Sequence, residues 1–282
     1  AGGADTVLID RLNPTVAAVT IGTDPVTDGN LSQTVTVDFS EPMQTTGVDP
    51  VITFSAGEWT GIGNGAWDGD GDRWSETFTL TDAGEEFAEV TVGVSGTGDA
   101  AGNAQQVYDP VAEFAVDTKN PTVEISLDNT ALISGETATV TFHFSEVPNG
   151  FTEADIAVGS GSVSEPVADD SDGTVYTAVL TPSPDTESTG NAVAVGTGYT
   201  DTAGNTGTAS SSGNYSVDTR APTVEITDSD ADVVTLADGS VTFTFTFSEG
   251  VNGFAAGDVS VSGGTKGAFT GDDGDSVYTL VV

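Results

Sequence analysis

The sequence predicts an all-β protein made of tandem β-sandwich domains. Three observations lead to this prediction. Apolar and polar residues alternate over several short stretches, which is the pattern of strands with one buried face. The same landmark sequences return about every hundred residues. The 282 residues include no cysteine, so we expect each sandwich to be disulfide-free.

The strand pattern is clearest before the tripeptide Phe-Ser-Glu, which occurs three times. The alternating apolar positions there are Val35, Val37 and Phe39, then Val140, Phe142 and Phe144, then Val241, Phe243, Phe245 and Phe247. Around the second copy we expect strands near residues 121–127, 137–145, 154–159, 161–168, 174–180, 191–198 and 208–217. Seven short strands in about a hundred residues are typical of an immunoglobulin-like (Ig-like) sandwich.

Four landmarks follow one another in a constant order. Pro-Thr-Val comes first, with its prolines at Pro14, Pro121 and Pro222. Phe-Ser-Glu comes next and ends at Glu41, Glu146 and Glu249. An Asp-rich turn before an aromatic residue follows, and Asp-x-Ala-Gly-Asn comes last, at residues 99–103 and 201–205. This shared order indicates a tandem array.

The landmarks also predict domain boundaries. Residues 1–11 are expected to be the end of a preceding repeat or a linker. Three Ig-like domains follow, a divergent first repeat at 12–117, a second repeat at 118–218 and a third repeat at 219–282. We expect the third repeat to be incomplete, lacking its last two strands. Either the sequence is a window cut from a longer tandem protein, which the uninterrupted motif order favours, or a neighbouring chain supplies the missing strands.

The charge balance excludes several classes of function. Five Lys and Arg residues stand against 44 Asp and Glu residues, a formal charge of −39. So few basic residues cannot neutralise a nucleic-acid backbone, and no apolar run is long enough to cross a bilayer. The absence of cysteine excludes cysteine-based zinc sites and nucleophiles. Because the acidic residues recur in Gly-rich turns from copy to copy, we expect no enzyme.

The acidic residues share a placement in each repeat. If the strands run alternately down and up, the entering linker and the loops after the second, fourth and sixth strands lie at the N-terminal end of the domain. Carboxylates gathered there favour a hard cation with oxygen ligands, namely calcium. The candidate ligands are Asp10, Glu41, Asp99 and Asn103 in the first repeat, Asp117, Glu146, Asp170, Asp172, Asp201 and Asn205 in the second, and Asp218, Glu249 and Asp273 in the third. The alternative is a solvated acidic face.

The Asp-rich turn of the first repeat is a separate candidate for calcium. Its alternating acids are Asp68, Asp70 and Asp72, as at the start of an EF-hand loop. The sixth position is Arg73 rather than Gly and the twelfth is Thr79 rather than Glu, which excludes a complete EF-hand. Two alternatives stay open, a smaller site that includes Glu76 and a solvated turn.

Two tryptophans of the first repeat, Trp59 and Trp67, have no counterparts in the other repeats. Exposed rings beside a calcium turn can stack on a sugar, so these two are candidate ligand-binding residues. The alternative is that they pack in the core or under a loop. Trp74 aligns with Tyr176 and Tyr278, so we expect it to be a core residue.

The order Val-Asp-Thr-x-x-Pro-Thr-Val, Phe-Ser-Glu, Asn-Gly-Phe-Thr-x-x-Asp-Ile and Asp-x-Ala-Gly-Asn resembles bacterial Ig-like repeats. The resemblance is to the extender region of large calcium-dependent (RTX-type) surface adhesins, and it is strongest over residues 117–219. The first repeat departs from the pattern because Pro42 and Met43 follow its Phe-Ser-Glu.

This resemblance implies a non-enzymatic, extracellular structural protein at the cell surface, with domain junctions stiffened by calcium. Its partners would be neighbouring repeats of the same chain, together with a glycan or other cell-surface target, and neither nucleic acid nor a membrane span is expected. Two alternatives stay open. One is a subunit of an extracellular filament, sheath or surface layer, assembled from further copies and in one form strand-exchanged. The other is a carbohydrate-binding module in the first repeat.

Overall fold

The computed structural model describes residues 9–230 and 239–282. Regular structure in these ranges consists of β-strands and two single-turn 3₁₀ helices, which confirms the predicted all-β class. No helix in the described ranges is long and apolar enough to cross a membrane. The chain divides into two compact units. The first comprises Ala1–Thr130, Thr137–Thr181 and Thr189–Tyr215, and the second comprises Ala131–Glu136, Pro182–Ser188 and Ser216–Val282. The boundaries of the three repeats stay a prediction, and most of the leading segment 1–11 lies outside the described residues.

Two sheets form the first repeat. Its strands are β1 (Val16–Ile21), β2 (Val26–Thr27), β3 (Ser32–Phe39), β4 (Val51–Phe54), β5 (Trp59–Gly61), β6 (Ala66–Trp67), β7 (Arg73–Leu80), β8 (Glu86–Ser95) and β9 (Ala112–Asp117). One sheet has the order β1-β3-β7-β5, with β6 also paired to β7, and the other has the order β2-β9-β8-β4. Only β2 and β9 pair in parallel among these strands.

The core of the first repeat forms where the alternating apolar positions of both sheets meet. Its buried strand residues include Val35, Val37, Phe39, Val90, Val92, Val94 and Phe114. Trp74 is 1% exposed within this core, which agrees with the prediction from its alignment. Full burial of each such aliphatic or aromatic side chain contributes about 1.5–3 kcal/mol.

The strands of the second repeat follow one another in a similar order, and several of them are shorter. Its elements are β10 (Val123–Leu127), β11 (Ala131–Ile133), β12 (Ala138–Phe144), the 3₁₀ helix η1 (Glu153–Asp155), β13 (Ile156–Val158), β14 (Gly161–Val163), β15 (Val167–Asp169), β16 (Asp172–Pro182), β17 (Glu187–Asn191), β18 (Val193–Val195), β19 (Ser210–Ser211) and β20 (Tyr215–Asp218). One sheet has the order β10-β12-β16-β14, with β15 also on β16, and another has the order β13-β18-β19. The sequence did not predict β11, a three-residue strand that pairs in parallel with β20.

Two landmarks bond to each other in all three repeats. The Thr of Pro-Thr-Val donates its N–H to the hydroxyl oxygen of the Ser in Phe-Ser-Glu, at 2.9 to 3.0 Å, and that Ser donates its own N–H to the Thr carbonyl at 2.9 Å. The pairs are Thr15–Ser40, Thr122–Ser145 and Thr223–Ser248. The Glu after each Ser is thereby fixed beside the entry of its repeat.

The linker between the first and second repeats is fixed at both ends. Thr118 donates its N–H to the Glu85 carbonyl at 2.9 Å, and its hydroxyl accepts the Glu85 N–H at 3.0 Å. The Pro121 carbonyl accepts the Tyr199 hydroxyl at 3.2 Å. Only two residues, 119 and 120, lie between these anchors.

The third repeat has one sheet in the described residues. Its elements are β21 (Val224–Asp228), β22 (Thr242–Phe247), the 3₁₀ helix η2 (Ala256–Asp258), β23 (Phe269–Thr270) and β24 (Val277–Val281). The sheet order is β21-β22-β24-β23, and all its pairings are antiparallel. Phe245, Tyr278 and Leu280 are buried at its centre, with the Phe254 ring edge-on to Tyr278 at 5.1 Å.

Candidate metal centre

Among the residues that the structure describes, two groups of three carboxylates lie in the first compact unit. In each group, every carboxylate contributes one oxygen atom, and these three oxygen atoms lie within 4.8 Å of one another. We call Asp117, Glu146 and Asp201 the junction cluster, and Asp10, Glu41 and Asp99 the N-terminal cluster. All six are predicted ligands, and the structure brings them together in equivalent places of two repeats.

Three separate stretches of chain build the junction cluster. Asp117 is the last residue of β9 and begins the linker. Glu146 follows the bonded pair of Thr122 and Ser145 after β12. Asp201 opens the Asp-x-Ala-Gly-Asn turn. Each member therefore comes from a landmark, and the sandwich topology brings the landmarks to one end of the repeat.

The Asp-x-Ala-Gly-Asn turn is organised around its aspartate. The Asp201 carboxylate accepts the N–H of Gly204 at 2.7 Å, the N–H of Asn205 at 2.9 Å and the Asn205 side-chain amide at 2.8 Å. Gly204 has φ of 97°, a backbone conformation that favours glycine. Asp201 is 0% exposed, so the landmark encodes a buried carboxylate in a fixed orientation.

The first repeat contains the same turn. Asp99 accepts the N–H groups of Ala101 and Asn103 at 2.9 and 2.8 Å, and the Asn103 side-chain amide at 2.7 Å. It is 2% exposed. These hydrogen bonds, above all the one from the Asn103 amide, lower the pKa of Asp99, so it carries its charge despite burial.

Like charges crowd the junction cluster. Burial raises the pKa of Glu146, and the charges of Asp201, Asp117 and Glu86 raise it further. Burial also raises the pKa of Asp117, again with Asp201 and Glu86 adding to the effect. The nearby charge of Lys119 opposes both shifts. In the described part of the chain, no Lys or Arg forms an ion pair with a junction carboxylate.

The N-terminal cluster is more open on one side. Burial raises the pKa of Glu41, and the charges of Asp10 and Asp99 add to the shift. Asp10 is exposed, and its carboxylate accepts the N–H of Leu12 at 3.0 Å. Here the linker carboxylate faces solvent, whereas its counterpart Asp117 is half-buried.

Asn205 connects the junction cluster to the first repeat. Its side-chain amide nitrogen donates to the Asp117 carbonyl at 2.8 Å and to Asp117 Oδ1 at 3.1 Å. Its side-chain oxygen accepts the N–H of Asp28, a residue of the first repeat, at 2.8 Å. The junction cluster therefore lies where the first and second repeats meet.

The chemistry of both clusters suits a hard cation. Their members offer only carboxylate oxygens, which calcium prefers at about 2.3–2.6 Å. Two oxygens bound to one calcium ion can be up to about 5 Å apart, and the three oxygens of each cluster lie no farther apart than that. The residues present therefore fit such an ion.

The structure does not bring Asp170 and Asp172 into the junction cluster. Their hairpin joins β15 to β16, and its aspartates bond locally. Asp169 accepts the N–H and hydroxyl of Ser171 at 2.7 and 2.6 Å, and Asp172 accepts those of Thr174 at 3.0 and 2.6 Å. These bonds lower the pKa of Asp169 and Asp172. The hairpin is a turn stabilised by its own side chains.

The remaining predicted ligands also stay apart. Asp68 accepts the N–H of Gly71 at 2.7 Å and closes its own turn, while Glu76 accepts the N–H of Gly63 at 3.2 Å. Among the described residues, no group of three carboxylates includes Asp68, Asp70, Asp72, Asp218, Glu249 or Asp273. Their assignment to calcium stays a prediction.

The two unmatched tryptophans pack against the core of the first repeat. The Trp59 ring stacks on Phe54 at 4.6 Å, and its indole N–H donates to the Ala56 carbonyl at 2.8 Å. The Trp67 ring lies 5.5 Å from Phe39, and its indole N–H donates to the Val48 carbonyl at 3.1 Å. These contacts favour the packing alternative, and sugar binding stays a prediction.

Sequence reasoning missed two residues of the junction. Glu86 begins β8 and lies opposite Asp117 in the register of β8 with β9. Asp28 contributes only its backbone N–H. Neither belongs to a repeated motif, so only the strand register and the contact between repeats bring them to the site.

Comparison with known families identifies the repeats. The profile of the bacterial Ig-like domain matches residues 117–217 and 218–282, more than half of the chain. The chain belongs to the bacterial Ig-like domain family. This membership confirms the predicted fold of tandem, disulfide-free Ig-like sandwiches. The first repeat lies outside the matched ranges, in line with its divergent motifs.

Several solved structures are similar to this chain. The Escherichia coli adhesin FdeC is 17% identical over 97% of this chain and 90% of its own, with a TM-score of 0.39. The I9–I11 tandem of titin is 10% identical over 94% and 89%, with a TM-score of 0.34. The Yersinia pseudotuberculosis adhesin InvE is 12% identical over 71% and 58%, with a TM-score of 0.27. Structural similarities this weak do not support a conclusion about function. A comparison with curated proteins finds no match.

Proposed function

We propose that this chain is a non-enzymatic array of Ig-like extender domains from an RTX-type bacterial surface adhesin, stiffened by calcium where the first and second repeats meet. The observation that carries the proposal is the junction cluster. Asp201 is wholly buried beside Asp117 and Glu146, and no Lys or Arg in the described residues pairs with them. Buried like charges destabilise a protein unless a cation neutralises them.

Calcium is the cation that best suits this donor set. Zinc sites are dominated by Cys and His, and magnesium demands a near-ideal octahedron and keeps several waters. Calcium accepts irregular sets of carboxylates completed by backbone oxygens and water. When bound, it would supply positive charge to Asp117, Glu146 and Asp201 and so remove their mutual repulsion.

Calcium at this place would act on the contact between repeats. Asp117 belongs to the linker, whereas Glu146 and Asp201 belong to the second repeat. A shared ion would therefore tie the linker to the second repeat, beside the bond between Asn205 and Asp28. Stiff junctions suit a protein that holds a binding module away from the cell, which supports an extracellular location and a glycan or other surface target bound by other domains.

A subunit of a filament, sheath or surface layer is the alternative role for the same domains. Electron microscopy across a concentration series separates the two, because only an assembly subunit forms ordered polymers. Sugar binding by the first repeat has less support, since both candidate indole rings pack on core aromatics.

The test compares metal-free and calcium-loaded protein by thermal unfolding and small-angle scattering. At a calcium concentration about 100 times the Kd, we expect a gain of about 2.7 kcal/mol in native-state stability and a more extended particle. Trypsin cleavage after Lys119, in the linker, should slow in parallel. Glu146→Gln should abolish most of the gain, whereas Asp170→Asn should keep it. If calcium changes neither melting temperature nor scattering of the wild type, the proposal is wrong.

A further inference from the structure

Two parallel strands of the first repeat, β2 and β9, form a strand end that bonds outside the repeat. Their last register pair is Thr27 and Asp117. Beyond Thr27 the chain turns, and Asn30 donates its N–H to the Thr27 carbonyl at 2.9 Å. Two backbone groups at this end, the Asp28 N–H and the Asp117 carbonyl, bond to one side chain of the second repeat.

That side chain is Asn205, and its amide takes the place of a peptide group. Its Oδ1 accepts the Asp28 N–H at 2.8 Å, and its Nδ2 donates to the Asp117 carbonyl at 2.8 Å. A carboxamide offers an acceptor and a donor, as a peptide group does. Because a backbone N–H can only donate, the oxygen end of the amide must face Asp28. Asn205 thus completes the hydrogen bonding of the strand pair as a further backbone segment would.

The second repeat holds this amide in a fixed position. The Asn205 Nδ2 also donates to Asp201 Oδ2 at 2.8 Å, and the Asp201 carboxylate accepts the Asn205 backbone N–H at 2.9 Å. Asn205 is 1% exposed. Since its own turn already orders this side chain, little further conformational entropy is lost when it bonds to the first repeat.

Packing beside this contact is incomplete. The turn residues Thr202 and Ala203 line a groove of about 250 Å³, and its lining also includes Pro25, Phe87 and Val116 of the first repeat. Atoms that face empty space lose their van der Waals contacts on that side. The hydrogen bonds of the amide therefore have a larger share in holding the two repeats together at this place.

The same kind of strand end recurs in the second repeat. There β11 pairs in parallel with β20, and their last register pair is Ile133 and Asp218. A turn follows in which Glu136 donates its N–H to the Ile133 carbonyl at 3.1 Å, as Asn30 does to Thr27. The strand end is therefore a repeated feature of the fold, as the Asp-x-Ala-Gly-Asn landmark is a repeated feature of the sequence.

We propose that Asn205 is the docking residue of the second repeat, and that it recognises the end of the parallel strand pair in the repeat before it. Three hydrogen bonds of its side chain cross to the first repeat, one from the Asp28 N–H and two to Asp117. None of them needs an ion, so this docking goes beyond the proposed calcium site and persists in metal-free protein.

Hydrogen exchange of the residue 28 amide tests the proposal on the full chain with chelator present. In Asn205→Ala this amide loses its acceptor and should exchange at least about tenfold faster, the equivalent of one lost hydrogen bond. Asn103→Ala, the same landmark position in the first repeat, is the matched control and should leave the exchange nearly unchanged. General destabilisation predicts the reverse order, because Asp28 and Asn103 share a repeat. Equal acceleration in the two variants, or none in Asn205→Ala, would overturn the proposal.

A second experiment removes the donor instead of the acceptor. Asp28 is the second residue of a turn in which it and Gly29 both lie outside the positive-φ region, a position that favours proline. Asp28→Pro deletes the N–H, whereas Asp28→Ala keeps it. Trypsin cleavage after Lys119, again with chelator, should be about tenfold faster in Asp28→Pro than in Asp28→Ala.

The two changes should not add, because they break the same contact. The double variant Asp28→Pro with Asn205→Ala should be cleaved no faster than Asn205→Ala alone. Equal cleavage of Asp28→Pro and Asp28→Ala, or additive effects, would contradict docking through this amide. If Asp28→Pro does not fold, the exchange comparison decides. Failure of calcium to stabilise the wild type would refute the proposed function and leave these results unchanged.

Discussion

The two carboxylate clusters are built from the same landmarks but are completed by different surroundings. In the N-terminal cluster, the linker carboxylate of Asp10 is exposed. In the junction cluster, its counterpart Asp117 is half-buried, receives the Asn205 amide and lies opposite Glu86 of the first repeat. The landmarks therefore determine where carboxylates gather, and the preceding repeat determines how strongly they are desolvated and how strongly they repel.

The largest effect is expected from removing the buried aspartate of each turn. Asp201→Ala leaves three N–H donors without their charged acceptor and should cost about 3 kcal/mol or more. Asp99→Ala should cost a similar amount in the first repeat. Only Asp201→Ala should also speed trypsin cleavage after Lys119, because Asn205 then loses the contact that orients it toward Asp117 and Asp28. Equal cleavage in both variants would mean that the junction does not depend on the cluster.

The second-largest effect is expected on the number of calcium ions bound, which tests whether the two clusters are separate binding sites. Asp117→Asn should remove the tighter of two binding events in isothermal titration, since the junction carboxylates are less exposed to competing water. Asp10→Asn should weaken only the other event, and by less, because Asp10 is exposed. Loss of the same event in both variants would contradict two independent sites.

The pH dependence of metal-free protein provides a third test. The pKa values of Glu146 and Asp117 in the folded state are raised above their ordinary values of 4.5 and 3.8. The folded state therefore binds more protons than the unfolded state in this range, and stability rises as the pH falls toward these pKa values. Protonation of Asp99, whose pKa is lowered, reverses the trend below about pH 4.

With calcium bound, stability should instead fall as the pH falls toward the pKa values of Glu146 and Asp117. Protons then compete with the ion for these two carboxylates. The measurement is the melting temperature from pH 7 to pH 3 with calcium and with chelator. Parallel curves in the two conditions would show that calcium does not bind these carboxylates.

The smallest effect is expected from Glu86→Gln. Removing this charge relieves repulsion with Asp117 and Glu146, and should stabilise the metal-free protein by about 0.5 kcal/mol. In calcium the gain should shrink, because the ion already offsets the repulsion. Glu89→Gln, on the same strand and exposed, is the control and should change little in either condition.

The sequence predicted the fold and the composition of both clusters because both depend on repeated motifs. Alternating residues such as Val35, Val37 and Phe39 determine which strand face is buried, and the Asp-x-Ala-Gly-Asn turn folds around its own aspartate. Such features are local in sequence. A topological argument was then enough to place Asp117, Glu146 and Asp201 at one end of the repeat.

What escaped prediction depends on long-range register. Glu86 meets Asp117 only through the pairing of β8 with β9, and β11 forms only through its parallel pairing with β20. Asp170 and Asp172 belong to a hairpin whose neighbouring Ser171 and Thr174 satisfy the nearby carboxylates. Neither strand register nor competition from a neighbouring hydroxyl is visible in the spacing of acidic residues.

The short linker between the first and second repeats has a mechanical consequence. Thr118 is bonded to the first repeat and Pro121 to the second, so the free tether is two residues, about 7 Å at full extension. A force applied along the chain can therefore extend the linker only slightly before it acts on these hydrogen bonds and on the carboxylates beside them. A force that separates the first two repeats therefore acts on the anchors of this linker, and on the neighbouring Asp117, Glu146 and Asp201, within the first few ångströms of extension.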